Sequence, residues 1–194
     1  RYERPQRGRL REHWQLNVDL FGLSDIEADV EIILIAQKIM GKFGFKPEQY
    51  EIRMYDRTIL SDVFSLKLHL DTVESAQLQK LLDKRQKMDR IDFEKAGLEI
   101  LGKDRLDILL QWTKNPKDVE DGLPGNTSVD RNLELRDRLA GLGVSNITWD
   151  PGIVRGFDYY TGMVFEVFDK NPENRRSLFG GGRYDNLLDI FGTE

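Results

Sequence analysis

Two glycine-flanked segments near the C-terminus, residues 154–161 (Val-Arg-Gly-Phe-Asp-Tyr-Tyr-Thr) and 180–185 (Gly-Gly-Gly-Arg-Tyr-Asp), each set a cation and a phenol beside backbone that glycine leaves open and flexible. Guanidinium, phenol and accessible main chain together suit a pocket for a small, polar, partly anionic ligand. At the other end, Arg1, Arg4, Arg7, Arg9 and Arg11 crowd one stretch with only Glu3 to offset them. A guanidinium fork matches the paired oxygens of a phosphate. Charge alone leaves a solvated basic hairpin equally open. Gln15 and Asp19 tip the reading toward a ligand, because the same face then offers an amide and a carboxylate beyond the arginines.

These groups need elements to hold them. From Trp14 to Leu20 apolar and polar residues alternate, which predicts a half-covered strand over 12–21 behind an exposed loop broken by Pro5 and Gly8. Ser24, with Glu27 three residues on, reads as a capping box opening a helix to about Lys42, where Gly41 and Gly44 stop it. Its predicted buried stripe is Val30, Ile33, Leu34, Ile35 and Ile39. A short strand from Tyr50 to Tyr55 and a helix from about Arg57 follow. Residues 67–146 change texture: charged, helical in period and poor in β-branched runs. Helices are expected at 72–88, 90–101, 103–113 and 129–141, with a loop at 115–126. Strand patterns return at 147–149, 163–169 and 177–180, and a last helix begins near Tyr184. The implied division is a first core part (1–66), a helical insertion (67–146) and a second core part (147–194).

Composition narrows the function. The 194 residues carry 29 Lys+Arg against 34 Asp+Glu, a net charge of −5 that gives no support to bulk nucleic-acid binding. Any nucleic-acid partner must meet a local basic surface. There is no cysteine, and His13 and His69 are the only imidazoles, so neither a disulfide framework nor a metal site is expected. No run approaches the roughly 20 apolar residues of a membrane span. The reading is a cytoplasmic protein, with the Asn-x-Ser/Thr triplets at Asn126 and Asn146 taken as chance. Opening mid-motif without a Met, the chain is expected to be part of a longer protein.

The run from Arg1 to Gln15 resembles motif 2 of class II aminoacyl-tRNA synthetases in its histidyl-tRNA synthetase form. Arg155 to Thr161 resembles that family's first histidine-specific signature, and Gly180 to Asp185 the second. All three stand in the family's order with a helical insertion between them. The resemblance implies an α+β fold: a class II synthetase-type antiparallel sheet flanked by helices. It implies that Arg1 grips the α-phosphate of ATP, Glu3 reads the adenine amino group and Arg9 reaches the far phosphates. Arg11 and His13 complete the ATP-binding set, His13 standing where the family commonly has a phenylalanine that stacks on adenine. Arg155 would contact the α-phosphate opposite Arg1, making these two the catalytic pair, with Mg²⁺ bound to ATP. The implied histidine-binding set is Gln15 (substrate ammonium), Asp19 and Tyr160 (the two ring nitrogens), Arg155, Tyr159, Tyr184, Gly181 and Gly182. Asp19 is one methylene shorter than the glutamate usual there.

The function so implied is that of a histidine–tRNA ligase, forming histidyl-adenylate and passing it to the 3′ end of histidine tRNA. The family's motif 1, motif 3 and anticodon-binding domain have no counterpart in these residues. The 194 residues alone are therefore expected to be inactive and monomeric, and the full-length protein a homodimer. The alternative is a non-catalytic regulatory subunit of ATP phosphoribosyltransferase, which shares the fold. A regulator has no need of ATP-gripping arginines, whereas Arg1, Glu3 and Arg9 are all present.

Overall fold

A mixed four-stranded sheet, in the order β2-β1-β3-β4, forms the centre of the molecule. The computed structural model describes residues 12–85, 88–123, 127–153, 160–174, 176–190 and 192. β1 (Tyr50–Asp56), β3 (Met163–Asp169) and β4 (Ser177–Gly182) pair antiparallel, as expected of the α+β class. β2 (Ile147–Trp149) instead lies parallel to β1, with Ile52 opposite Ile147. A parallel neighbour requires a crossover connection, and the long helical stretch between β1 and β2 supplies it.

The sheet separates two apolar clusters. Along β1, Tyr50, Ile52 and Met54 face one side, where they meet Met163, Phe165 and Val167 of β3. Helices α1 (Ile26–Lys42) and α6 (Thr127–Gly141) cover that side. Ile26, Val30, Ile33, Ala36 and Met40 recur at helical spacing along α1 and are buried, as are Leu135 and Leu139 on α6. Leu34, Ile35 and Ile39 of the expected stripe are only half-buried. Tyr55, Val164 and Phe168 point to the other side. There they join α2 (Arg57–Asp62), the π-helical turn Val63–Lys67, α3 (Thr72–Lys84), α4 (Arg90–Lys114) and α5 (Pro116–Glu120). A short helix, α7 (Leu187–Ile190), follows β4.

Local signals explain most of these boundaries. Asp71 accepts from the backbone N–H groups of Val73 and Glu74 at 2.8 Å, and Glu74 returns the bond to Asp71, a capping box that starts α3. Glu74 also accepts both Nη groups of Arg105, at 3.1 and 2.8 Å, tying α3 to α4. α4 breaks at Gly102, whose φ of 70° and ψ of 175° divide it into the two helices the sequence predicts on either side. The stretch 115–126, expected as loop, contains the one-turn α5, entered through Pro116 at its first turn.

Two further expectations fail. The cap of α1 is Asp25 rather than Ser24, and Glu27 forms no capping box; its carboxylate accepts from Arg138 of α6 at 2.6 Å. Residues 13–20 form no strand among the described residues, and Trp14 and Leu16 stand exposed. Alternation of apolar residues marks a face that wants cover. A strand also needs a neighbouring ladder, and none of the four strands here pairs with this segment. Among the described residues no helix is long and apolar enough to cross a membrane.

The helices on the α4 side are tied to the sheet by a polar triad of buried Tyr55 and Trp112 with half-buried Glu120. The hydroxyl of Tyr55 donates to Glu120, and Trp112 Nε1 donates to the Tyr55 oxygen at 3.1 Å. Burial, with Glu120 alongside, pushes the Tyr55 phenol far above its ordinary pKa, so it stays a neutral donor. Tyr55→Phe removes that donor and leaves Glu120 and Trp112 imperfectly paired, so it should cost about 1–3 kcal/mol in urea denaturation. An unchanged midpoint would show that the triad adds nothing.

Candidate functional site

The two C-terminal segments meet at the end of β3 and β4. The ladder pairs Val164 with Gly182, Phe165 with Gly181 and Glu166 with Gly180. It runs on past Gly182, because Arg183 N donates to Met163 O and Thr161 N to Arg183 O, both at 2.8 Å. Thr161 Oγ1 donates to Asp185 Oδ2 at 2.7 Å and accepts from the Asp185 backbone N–H at 3.0 Å. The loop carrying Tyr160 and the loop carrying Tyr184 are thereby zipped together.

Their rings stack, with centroids 6.4 Å apart and planes inclined by 29°. Tyr184's hydroxyl donates to Asp19 Oδ1. Three expected site residues from three distant stretches thus share one location: Asp19, Tyr160 and Tyr184. Gly182 lies directly against Tyr160, and Gly181 turns to the opposite side of the sheet. A Cβ on Gly182 would fall 2.8 Å from the Tyr160 ring, and one on Gly181 3.0 Å from the Phe165 ring. The glycines are therefore needed for close approach.

Gln15 lies exposed on the segment leading to Asp19, its Nε2 donating to Asn17 Oδ1 at 2.7 Å, and His13 is half-buried just before it. Arg1, Glu3, Arg9, Arg11, Arg155 and Tyr159 lie outside the described residues.

The cation of the second segment does not face the tyrosines. Arg183 Nη1 donates to Asp29 Oδ1 at 3.0 Å, Nη2 to Ser24 O at 2.6 Å and Nε to Asp185 Oδ1 at 2.8 Å. Sequence reasoning missed Asp29, Thr161 and Asp185 as members of the site. The signal for Asp29 was a lone acid on the apolar side of an otherwise greasy helix, which needs a buried cation for company. Burial works against ionisation of Asp185, yet hydrogen bonds from Thr161 and Arg183 outweigh it and hold its carboxyl below the ordinary range. The arrangement can present phenol hydroxyls, a carboxylate and bare backbone to a small planar polar ligand.

A family model described as histidyl-tRNA synthetase matches residues 1–194. The histidine–tRNA ligase of Leptospira biflexa (strain Patoc 1 / Ames) is 37% identical over 200 residues, covering 100% of this chain and 46% of that protein. Among solved structures, histidyl-tRNA synthetase from Nostoc sp. PCC 7120 superposes with a TM-score of 0.72 at 20% identity, over 86% of this chain and 42% of that one. An ATP phosphoribosyltransferase regulatory subunit/histidyl-tRNA synthetase from Bacillus halodurans C gives 0.74 at 19% identity, over 88% and 46%. The chain spans about half the length of the curated relatives it matches.

The glycines separate two kinds of crowding. A Cβ on Gly180 would sit 2.5 Å from the Phe165 carbonyl oxygen, backbone that cannot yield without breaking the ladder, whereas one on Gly182 would meet the side chain of Tyr160. Gly180→Ala should therefore lower the melting temperature more than Gly182→Ala. Gly182→Ala should instead change the near-ultraviolet dichroism of the tyrosines. Equal losses of stability would contradict this geometry. The pH sign is also fixed: with Asp185 depressed, its tie to Thr161 and Arg183 stabilises above the ordinary carboxylate range and is lost as pH falls through the lowered value. Thr161→Ala should shrink that acid-side loss in thermal melts; an unchanged acid limb would argue against the tie.

Proposed function

The chain belongs to the histidyl-tRNA synthetase family, and from that premise we propose that the protein carrying it is a cytoplasmic histidine–tRNA ligase. It would join histidine to ATP as histidyl-adenylate and then esterify the terminal adenosine of histidine tRNA. The observation that carries this reading is the convergence at one place of Asp19 and Tyr160, to which the family pattern gives the imidazole nitrogens, with Tyr184, which that pattern sets beside them.

The chemistry asks little beyond alignment and charge. A histidine carboxylate oxygen forms a bond to the α-phosphorus while the bond from that phosphorus to the pyrophosphate oxygen breaks. The nucleophile is already anionic, so no general base is required. Positive charge is needed where phosphoryl oxygens gain negative charge. Arg1 and Arg155 would meet the α-phosphate from opposite sides, with Glu3, Arg9, Arg11 and His13 holding the rest of ATP. Mg²⁺ arriving with ATP would neutralise the pyrophosphate.

Selection would rest on unpaired groups. A neutral imidazole has one donor and one acceptor nitrogen. A cleft with the Asp19 carboxylate and the Tyr160 hydroxyl placed to satisfy both would reject side chains that leave either without a partner. Tyr159, Tyr184, Gly181 and Gly182 would line the remainder, with Gln15 and Arg155 on the ammonium and carboxylate ends. The helices of 67–146 would stand as an insertion between the two parts of the catalytic core. The full-length protein would be a homodimer. The 194 residues alone would be monomeric and inactive, having about half the relatives' length from which to build an ATP site. A regulator of ATP phosphoribosyltransferase would bind histidine without activating it, and the arginines of motif 2 favour the ligase.

The test is histidine-dependent ATP–pyrophosphate exchange by the full-length protein. Exchange should be robust, and Arg155→Ala should depress it by about 10²–10³-fold, far more than it raises the histidine KM. Asp19→Asn should raise the histidine KM. Histidine binding without any exchange would replace the ligase reading by the regulatory one.

A further inference from the structure

The two tyrosines are fixed from behind the sheet. Successive residues of a strand face opposite sides. Gly182 meets Tyr160 on one side; Gly181 meets Phe165 on the other, where α1 and α6 pack. Next along the chain Arg183 turns back to the α1 side and reaches Asp29, and Tyr184 after it stands with Tyr160. Only 13% of the Arg183 side chain and 6% of the Asp29 side chain remain exposed, so both charges depend on each other for solvation.

A chain of charge-assisted bonds extends from this pair in both directions. Asp29 Oδ2 accepts from Arg131 Nη2 of α6 at 3.0 Å. On the other side Arg183 Nε binds Asp185, and the second oxygen of Asp185 holds Thr161. Tyr184 lies between Arg183 and Asp185, and Tyr160 immediately precedes Thr161. Both tyrosines are thus bracketed by one network anchored in two helices. We propose that Arg183, acting through Asp29 and Asp185, is a positioning residue that holds the Tyr160–Tyr184 pair in its substrate-binding arrangement. Its effect falls on recognition of the amino acid and leaves the phosphoryl step alone. The substrate half of this inference rests on the histidine reading above; the positioning half does not.

The geometry demands a guanidinium. Nε and the two Nη groups diverge to a carboxylate on α1, a carbonyl before it and a carboxylate after β4. The ammonium of lysine is a single point of charge and cannot reach all three.

The experiment compares Arg183→Lys, Asp29→Asn and Asp29→Glu in the full-length protein, with 3-fluorotyrosine placed at position 184 as a probe. Arg183→Lys and Asp29→Asn should broaden or shift the fluorine resonance of that ring and raise the histidine KM about ten- to a hundredfold. The KM for ATP should hold, and kcat should stay within about threefold. Asp29→Glu, which keeps the charge, should recover part of both effects. A sharp, unshifted fluorine line in folded Arg183→Lys and Asp29→Asn overturns the proposal. So does an equal change in both KM values and kcat alongside a lowered melting temperature, which marks a merely structural role. If the fluorine line moves but the histidine KM does not, the positioning stands and the histidine assignment of the tyrosines falls.

Discussion

Three consecutive glycines at the end of β4 let aromatic rings close on the sheet from both sides, Phe165 against Gly181 and Tyr160 against Gly182. The candidate site exists because of that bare strip of backbone. A side chain at Gly182 would occupy the space of the Tyr160 ring, and one at Gly180 would strike the carbonyl of the neighbouring strand. Without side chains of its own, the strip cannot hold itself in place by packing. Its position is set instead by the β3 ladder and by the ion pairs that begin at Arg183, the first residue after the glycines.

The two faces of the sheet then have different tasks. On the α1 and α6 side, the apolar rows of β1 and β3 pack with Ile33 and Leu139, both wholly buried. Set among them is a small charged network in which Asp29 receives both Arg131 and Arg183. On the opposite side, Tyr55, Val164 and Phe168 meet α2 to α5, and Tyr160 packs at the margin of that cluster. Tyr160 therefore adjoins both the site and the apolar mass of the helices. Any movement of α4 and α5 relative to the sheet must pass through the Tyr55–Glu120–Trp112 contact.

Much of this was legible in the sequence wherever a local rule decides. Gly102 divides a helical pattern because it can take a φ of 70°. The helix expected from residue 72 begins at Thr72, and the segment from Tyr50 to Tyr55 becomes a strand. The glycine-rich segments stood out because few other roles explain three glycines beside a phenol. Long-range choices were not legible. The same Arg183 that reads as a ligand-facing cation is drawn away by Asp29, 154 positions distant in the chain. Glu27, three residues past Ser24, has the spacing of a capping box, but Arg138 takes its carboxylate. The alternation over 12–21 records which side chains want cover and is silent about the ladder that must supply it. The parallel pairing of β2 depends on how the chain returns after about ninety residues of helix and loop, which no window of sequence contains.

The proposed function requires that residues from three distant stretches of chain enclose one histidine beside one ATP. A crystal structure of the full-length protein with histidine and a non-hydrolysable ATP analogue tests it most directly. The expected density shows an imidazole contacting Asp19 and Tyr160, with Tyr184 beside it, and an α-phosphate gripped by Arg1 and Arg155 from opposite sides. Density for histidine elsewhere, or Arg1 and Arg155 on surfaces that share no cleft, would contradict it.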